Sequence, residues 1–135
     1  MSATEETGRA HDARLRHPSA GPAGQVRFAH PSERLFATLL DLLGEQWFYE
    51  PVEFPLEWDE QGSPVAGFRP DFYLPGPGLF IELTTADQRL VTRKNRKVRR
   101  MRALYPEVPI RVVYQRDFMS LLASHGLLPE AAGAA

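Results

Sequence analysis

The chain has 135 residues, 43% of them hydrophobic, which suits one domain with a single buried core. It has no cysteine, so a disulfide framework and a thiolate zinc site are both excluded. No apolar run approaches the roughly 20 residues that a bilayer crossing requires, and residues 1–25 carry no apolar leader core, so a cytoplasmic protein without a membrane partner is expected.

Residues 1–26 are rich in Ala, Gly, Pro and charge, without apolar periodicity, and read as a disordered arm. The domain is expected over 27–128, followed by a flexible tail over 129–135. Its first element is a helix with Ser32 as N-cap and an apolar stripe of Leu35, Phe36, Leu39, Leu40, Leu42 and Leu43, ending near Gly44. Glu33 lies in line with Phe36, Ala37 and Leu40, either complementing the helix dipole or pointing inward as a carboxylate with a task.

Residues 51–58 alternate well enough for a strand, which Pro55 places at an edge or a bulge. A turn over 59–63 returns the chain into a second strand over 65–74. A third, over 79–85, is the most apolar and is expected to be central. The helix after it is basic, with Thr92 as a candidate cap and Pro106 as its stop. A strand over 108–115 and a short helix capped by Asp117 complete an α-β-β-β-α-β-α order. The fold class is therefore α/β, a mixed sheet with helices packed on it.

Residues 69–84 carry the clearest signal. The loop Pro75-Gly76-Pro77-Gly78 joins two short β-type runs, a hairpin pattern. Closing that loop between Leu74 and Leu79 sets Asp71 directly opposite Glu82. Alternation then groups Asp71, Tyr73, Phe80, Glu82 and Thr84 on one face, with Phe72, Leu74, Leu79, Ile81 and Leu83 on the other. Two carboxylates roughly 5 Å apart across a hairpin repel each other, and a cation between them removes that cost.

The net charge of −1 conceals a segregation. Between Arg89 and Arg102 stand 8 of the 16 basic residues (Arg89, Arg93, Lys94, Arg96, Lys97, Arg99, Arg100 and Arg102) and no acid. Such a one-sign block reads as the footprint of a polyanion. On the helical wheel Lys94 falls near the middle of the apolar sector formed by Leu90, Val91, Val98, Met101, Leu104 and Tyr105, and Lys97 nearer its edge. A lysine stem can lie along apolar surface while its ammonium reaches a polar centre.

This order of elements, with Glu33 in the first helix, Pro70-Asp71 in the second strand and Glu82-Leu83-Thr84 in the third, resembles the PD-(D/E)xK nuclease superfamily, over roughly residues 32–118. The resemblance implies a restriction-endonuclease-like α-β-β-β-α-β core with a short C-terminal helix. It implies that Asp71, Glu82 and the Leu83 carbonyl hold Mg²⁺ or Mn²⁺, with Glu33 assisting. The chain departs from the pattern at Thr84, where the family places a catalytic lysine. Some members supply that lysine from the following helix, which makes Lys94, or less favourably Lys97, its replacement here; the third alternative is a site with neither.

The expected activity is metal-dependent endonucleolytic hydrolysis of DNA, in preference to RNA, alone, as a homodimer, or within a larger assembly. Arg69, Arg89, Arg93, Arg96, Lys97 and Arg100 are the candidate phosphate contacts. The alternatives are a non-catalytic nucleic-acid-binding module on the same fold and an interaction subunit whose basic helix docks an acidic partner. The histidines His11, His17, His30 and His125 have no zinc-site spacing. Trp47, Phe48, Tyr49 and Trp58 read as packing residues.

Overall fold

The helix expected after residue 30 forms because both of its ends are closed locally. In the computed structural model, which describes residues 14–15, 19–84 and 88–124, it is α1 (Pro31–Leu42). Its cap is His30 rather than Ser32: His30 Nδ1 accepts from the Ser32 amide at 3.1 Å, and Glu33 Oε1 accepts from the His30 amide at 3.2 Å. This reciprocal pair, with Pro31 at the first helical position, satisfies the amides at the helix start. At the other end Gly44 takes the left-handed conformation, φ +72°, and the Gly44 and Glu45 amides return to the Asp41 and Leu40 carbonyls.

The other elements are β1 (Arg14–Leu15), β2 (Ser19–Ala20), a 3₁₀ turn (Ala23–Gln25), β3 (Phe48–Tyr49), β4 (Val52–Trp58), β5 (Pro64–Phe68), β6 (Phe72–Leu74), β7 (Leu79–Thr84), α2 (Gln88–Leu104), β8 (Ile110–Tyr114) and α3 (Gln115–Ser124). The class is mixed α/β. Its strands form a sheet in the order β2-β3-β6-β7-β8 and a smaller one in the order β1-β4-β5. Among the described residues only β7 and β8 pair in parallel, with α2 between them in the chain. No helix among the described residues is long and apolar enough to cross a membrane.

The β6–β7 hairpin has the register expected from its loop: Phe72, Tyr73 and Leu74 face Ile81, Phe80 and Leu79. Its two faces enter two different cores. Phe72, Leu74, Ile81 and Leu83 pack with Phe36, Leu39 and Leu40 of α1. Phe80 packs with Val98 and Met101 of α2, with Tyr105 just past its end, and with Phe54, Leu56 and Phe68 of β4 and β5.

Several expectations are corrected. The single strand over 65–74 is broken at 69–71, where Pro70 cannot donate to a ladder, so β5 stays with β4 in the small sheet and β6 joins the large one. Strand β4 is not an edge, since it lies between β1 and β5, and its register slips around Glu57, next to the Pro55 position that argued for a bulge. Thr92 lies inside α2, which begins earlier, at Gln88, and Asp117 lies within the first turn of α3 rather than before it.

Residues 19–26 belong to the fold rather than to an arm. Ala23 and Val26 are buried, and the Ala23 amide donates to Asp41 Oδ2 at 2.8 Å. The rest of the expected arm, apart from 14–15, and the tail over 129–135 lie outside the described residues.

Phe72, fully buried, is the hub of an aromatic cluster with Phe28, Phe36, Trp47 and Tyr49, at centroid distances of 5.2–6.2 Å. Phe72→Ala is expected to lower stability by about 3–5 kcal/mol, read as a fall in the urea midpoint with an unchanged slope.

Candidate metal centre

Asp71 follows Pro70 immediately before β6, so it continues the hairpin ladder opposite Glu82 of β7. The two acids are tied crosswise. The Asp71 amide donates to Glu82 Oε1 at 3.1 Å, and the Leu83 amide donates to Asp71 Oδ2 at 2.9 Å. Asp71 is 5% and Glu82 3% exposed. Burial, and then the neighbouring Glu82 charge, push the Asp71 carboxyl well above the usual carboxylate range, against the opposing pull of Lys94. Burial also raises Glu82, with Lys94 again opposing.

Lys94 supplies the ammonium. Its Nζ lies 3.2 Å from Glu82 Oε2 and donates to the Leu83 carbonyl at 2.6 Å. Lys97, one turn further along α2, is exposed and lines a groove instead. Thr84, where a motif lysine would stand, is 2% exposed, and its hydroxyl has no hydrogen-bond partner among the described residues.

Glu33 reaches the same region from the first turn of α1. Its Oε1 accepts from the Tyr49 phenol at 2.6 Å and from the Ala29 and His30 amides, each at 3.2 Å. Glu33 thus caps the helix start and is buried against the Tyr49 phenol. Burial, followed by the Glu33 hydrogen bond, raises the Tyr49 phenol far above its ordinary value, so it stays a donor.

Carboxylate oxygens of Glu33, Glu50 and Asp71 lie within 4.8 Å of one another. Glu50 is the residue that pattern reading missed. It sits between β3 and β4 at φ +48°, an uncommon conformation for a side chain of this kind, and its amide donates to the Asp71 carbonyl at 2.9 Å. Nothing local flags it: an acid before Pro51 reads as a turn, and its approach to Asp71 is set by the pairing of β3 with β6.

The centre thus differs from the ligand set expected by resemblance. Asp71 gathers with Glu33 and Glu50, while Glu82 and the Leu83 carbonyl are engaged by Lys94. An all-oxygen set of anionic donors fits a hard divalent cation and not a thiolate- or imidazole-seeking one.

The candidate phosphate contacts divide. Arg93, Arg96, Lys97 and Arg100 line a groove of ≈ 500 Å³ between α2 and the β4–β5 hairpin, whose other wall is Leu56, Glu57, Ala66 and Gly67. Arg100 is steadied there by a bond from its Nε to the Leu56 carbonyl, 3.3 Å. Arg69 is not in that groove; its guanidinium pairs with Glu53 Oε1 at 3.2 Å. The side chain of Arg89 lies outside the described residues.

Because Asp71 and Glu82 hold protons more firmly in the folded chain than in the unfolded one, unfolding releases protons above the ordinary carboxyl range near pH 4. The stability they contribute without metal is complete below that range and is lost as pH rises through the raised folded values. Asp71→Asn is expected to flatten this fall, read as melting temperature against pH in chelator. No protein-family model matches the chain, and no curated protein or solved structure matches it.

Proposed function

We propose that this chain is a metal-dependent endonuclease that hydrolyses DNA phosphodiester bonds on a restriction-endonuclease-like core. The order α1, two consecutive hairpins, α2 and β8 supports that core, and the facing carboxylates of Asp71, just before β6, and Glu82, on β7, support the chemistry. The observation that carries the reading is the Lys94 ammonium, 3.2 Å from Glu82 and delivered by the helix that follows the motif. It supplies from α2 the charge that Thr84 cannot supply from β7.

Asp71, with Glu33 and Glu50, would hold Mg²⁺ or Mn²⁺, and Glu82, engaged by Lys94, would complete the site. Such an ion, when bound, would supply Lewis-acid polarisation of the scissile phosphate. Lys94, held 3.2 Å from Glu82, would offset charge developing on the phosphate. Glu33 keeps one oxygen on the Tyr49 phenol and the backbone amides, which fixes where the other can lie. Arg93, Arg96, Lys97 and Arg100 hold flanking phosphates without reading sequence.

A second reading, a non-catalytic nucleic-acid-binding module, is favoured by one observation. Lys94 already compensates Glu82 and caps the Leu83 carbonyl, so the pair has a partner without an ion. The two readings separate on cleavage. Wild-type protein with Mg²⁺ or Mn²⁺ is expected to nick DNA. Asp71→Ala and Glu82→Ala should abolish nicking, and Lys94→Met should slow it by about 100-fold or more while DNA binding stays nearly intact. Binding without cleavage of single-stranded, duplex or branched DNA with either metal establishes the second reading instead.

A further inference from the structure

We propose that Tyr114 and Asn95 form a subsite for an unpaired nucleobase beside the carboxylate centre, an inference that rests on the nucleic-acid reading of that centre and names its substrate as a strand with a locally unpaired base. Tyr114 is the Cα partner of Thr84 in the parallel β7–β8 pair, as Val112 is of Glu82 and Ile110 of Phe80. Partners in a pair share a sheet face, so Tyr114 lies on the face of Glu82 and Thr84. Ile110 and Val112, of the same parity, pack into the core under α2. Tyr114 continues their row past the end of that core, toward the site.

Packing does not account for this ring. Tyr105, on the same side of the sheet, is 8% exposed with its phenol donating to the Pro55 carbonyl at 2.8 Å. Tyr114 is 42% exposed, on the last strand of its sheet. Its phenol lies 3.2 Å from Asn95 Oδ1 and donates to it, which ties the ring to α2 at the residue after Lys94.

Strand spacing and rise place the Tyr114 Cα about 8 Å from that of Glu82, comparable to the reach from a phosphate to its own base. On the α2 wheel the groove residues Arg93, Arg96, Lys97 and Arg100 fall on one flank of Lys94 and Asn95 falls on the other. A strand laid with its phosphates along the groove therefore crosses the carboxylates and meets Tyr114 on the far side. A base paired inside a duplex cannot present its face there; an unpaired base can, and stacking on Tyr114 is the contact available to it.

The test is binding of the full chain, in chelator so that no cleavage occurs, to a short fluorescent DNA single strand and to copies with one abasic position moved along it. For the wild type, one abasic position is expected to weaken binding by roughly 5- to 150-fold. Tyr114→Ala should weaken the intact strand by the same factor and lose all sensitivity to that position. Tyr114→Phe, which keeps the ring, should retain both. An abasic scan without a sensitive position, or Tyr114→Ala with wild-type sensitivity, overturns the subsite and leaves the nuclease reading standing. Failure to bind single-stranded, duplex or branched DNA at all overturns both.

Discussion

Two carboxyl groups face each other at the buried end of the β6–β7 hairpin, and much of the surrounding structure is arranged to make that tolerable. An isolated buried carboxylate is too costly to keep ionised unless it is paired and hydrogen-bonded. Here each acid accepts a backbone amide from the opposite strand, so the strand pairing itself solvates the pair. One ammonium, that of Lys94, serves two carboxyls; it opposes without overcoming the burial that raises both acids and the Glu82 charge that raises Asp71 further. Glu33 and Glu50 increase the local acid density instead of relieving it.

The hairpin separates the protein's two tasks by parity. Odd and even positions of β6 and β7 point into different layers, so the aromatic cluster around Phe72 and the acids at Asp71 and Glu82 occupy opposite faces of the same strands. A one-residue slip would exchange them, burying the acids under α1 and exposing Phe72. The loop Pro75–Gly78 prevents this: Gly78 at φ +68° closes onto the Leu74 carbonyl at 2.9 Å and pins the register.

That local determinism explains which parts of the molecule were legible in the sequence. The register of β6–β7, the facing acids and the inward bearing of Lys94 follow from turn chemistry and from periods of 2 and 3.6 residues, all short-range rules. What was not legible depends on contacts distant in sequence. Strand β3 is two residues long and exists because it fits between β2 and β6. Glu50 reaches Asp71 only through that pairing. The division of 65–74 into β5 and β6 is signalled by Pro70, but the choice of a second sheet is made by packing of Phe54 and Phe68 against α2. The His30 cap escaped because serine at the next-but-one position is the commoner choice.

The delivery of the Lys94 ammonium from a helix, not from a strand, has a structural consequence. A lysine at position 84 would start from a site that is 2% exposed and could place its ammonium only where β7 points. Lys94 instead shares the stripe of Val98, Met101 and Tyr105, so its stem is guided by the packing that seats α2 on the sheet. That seating is itself polar as well as apolar. The Tyr105 phenol and Arg100 Nε bond to the Pro55 and Leu56 carbonyls of β4. Charge compensation at the acids, the cationic groove and the flank that carries Asn95 are therefore set by one docking geometry.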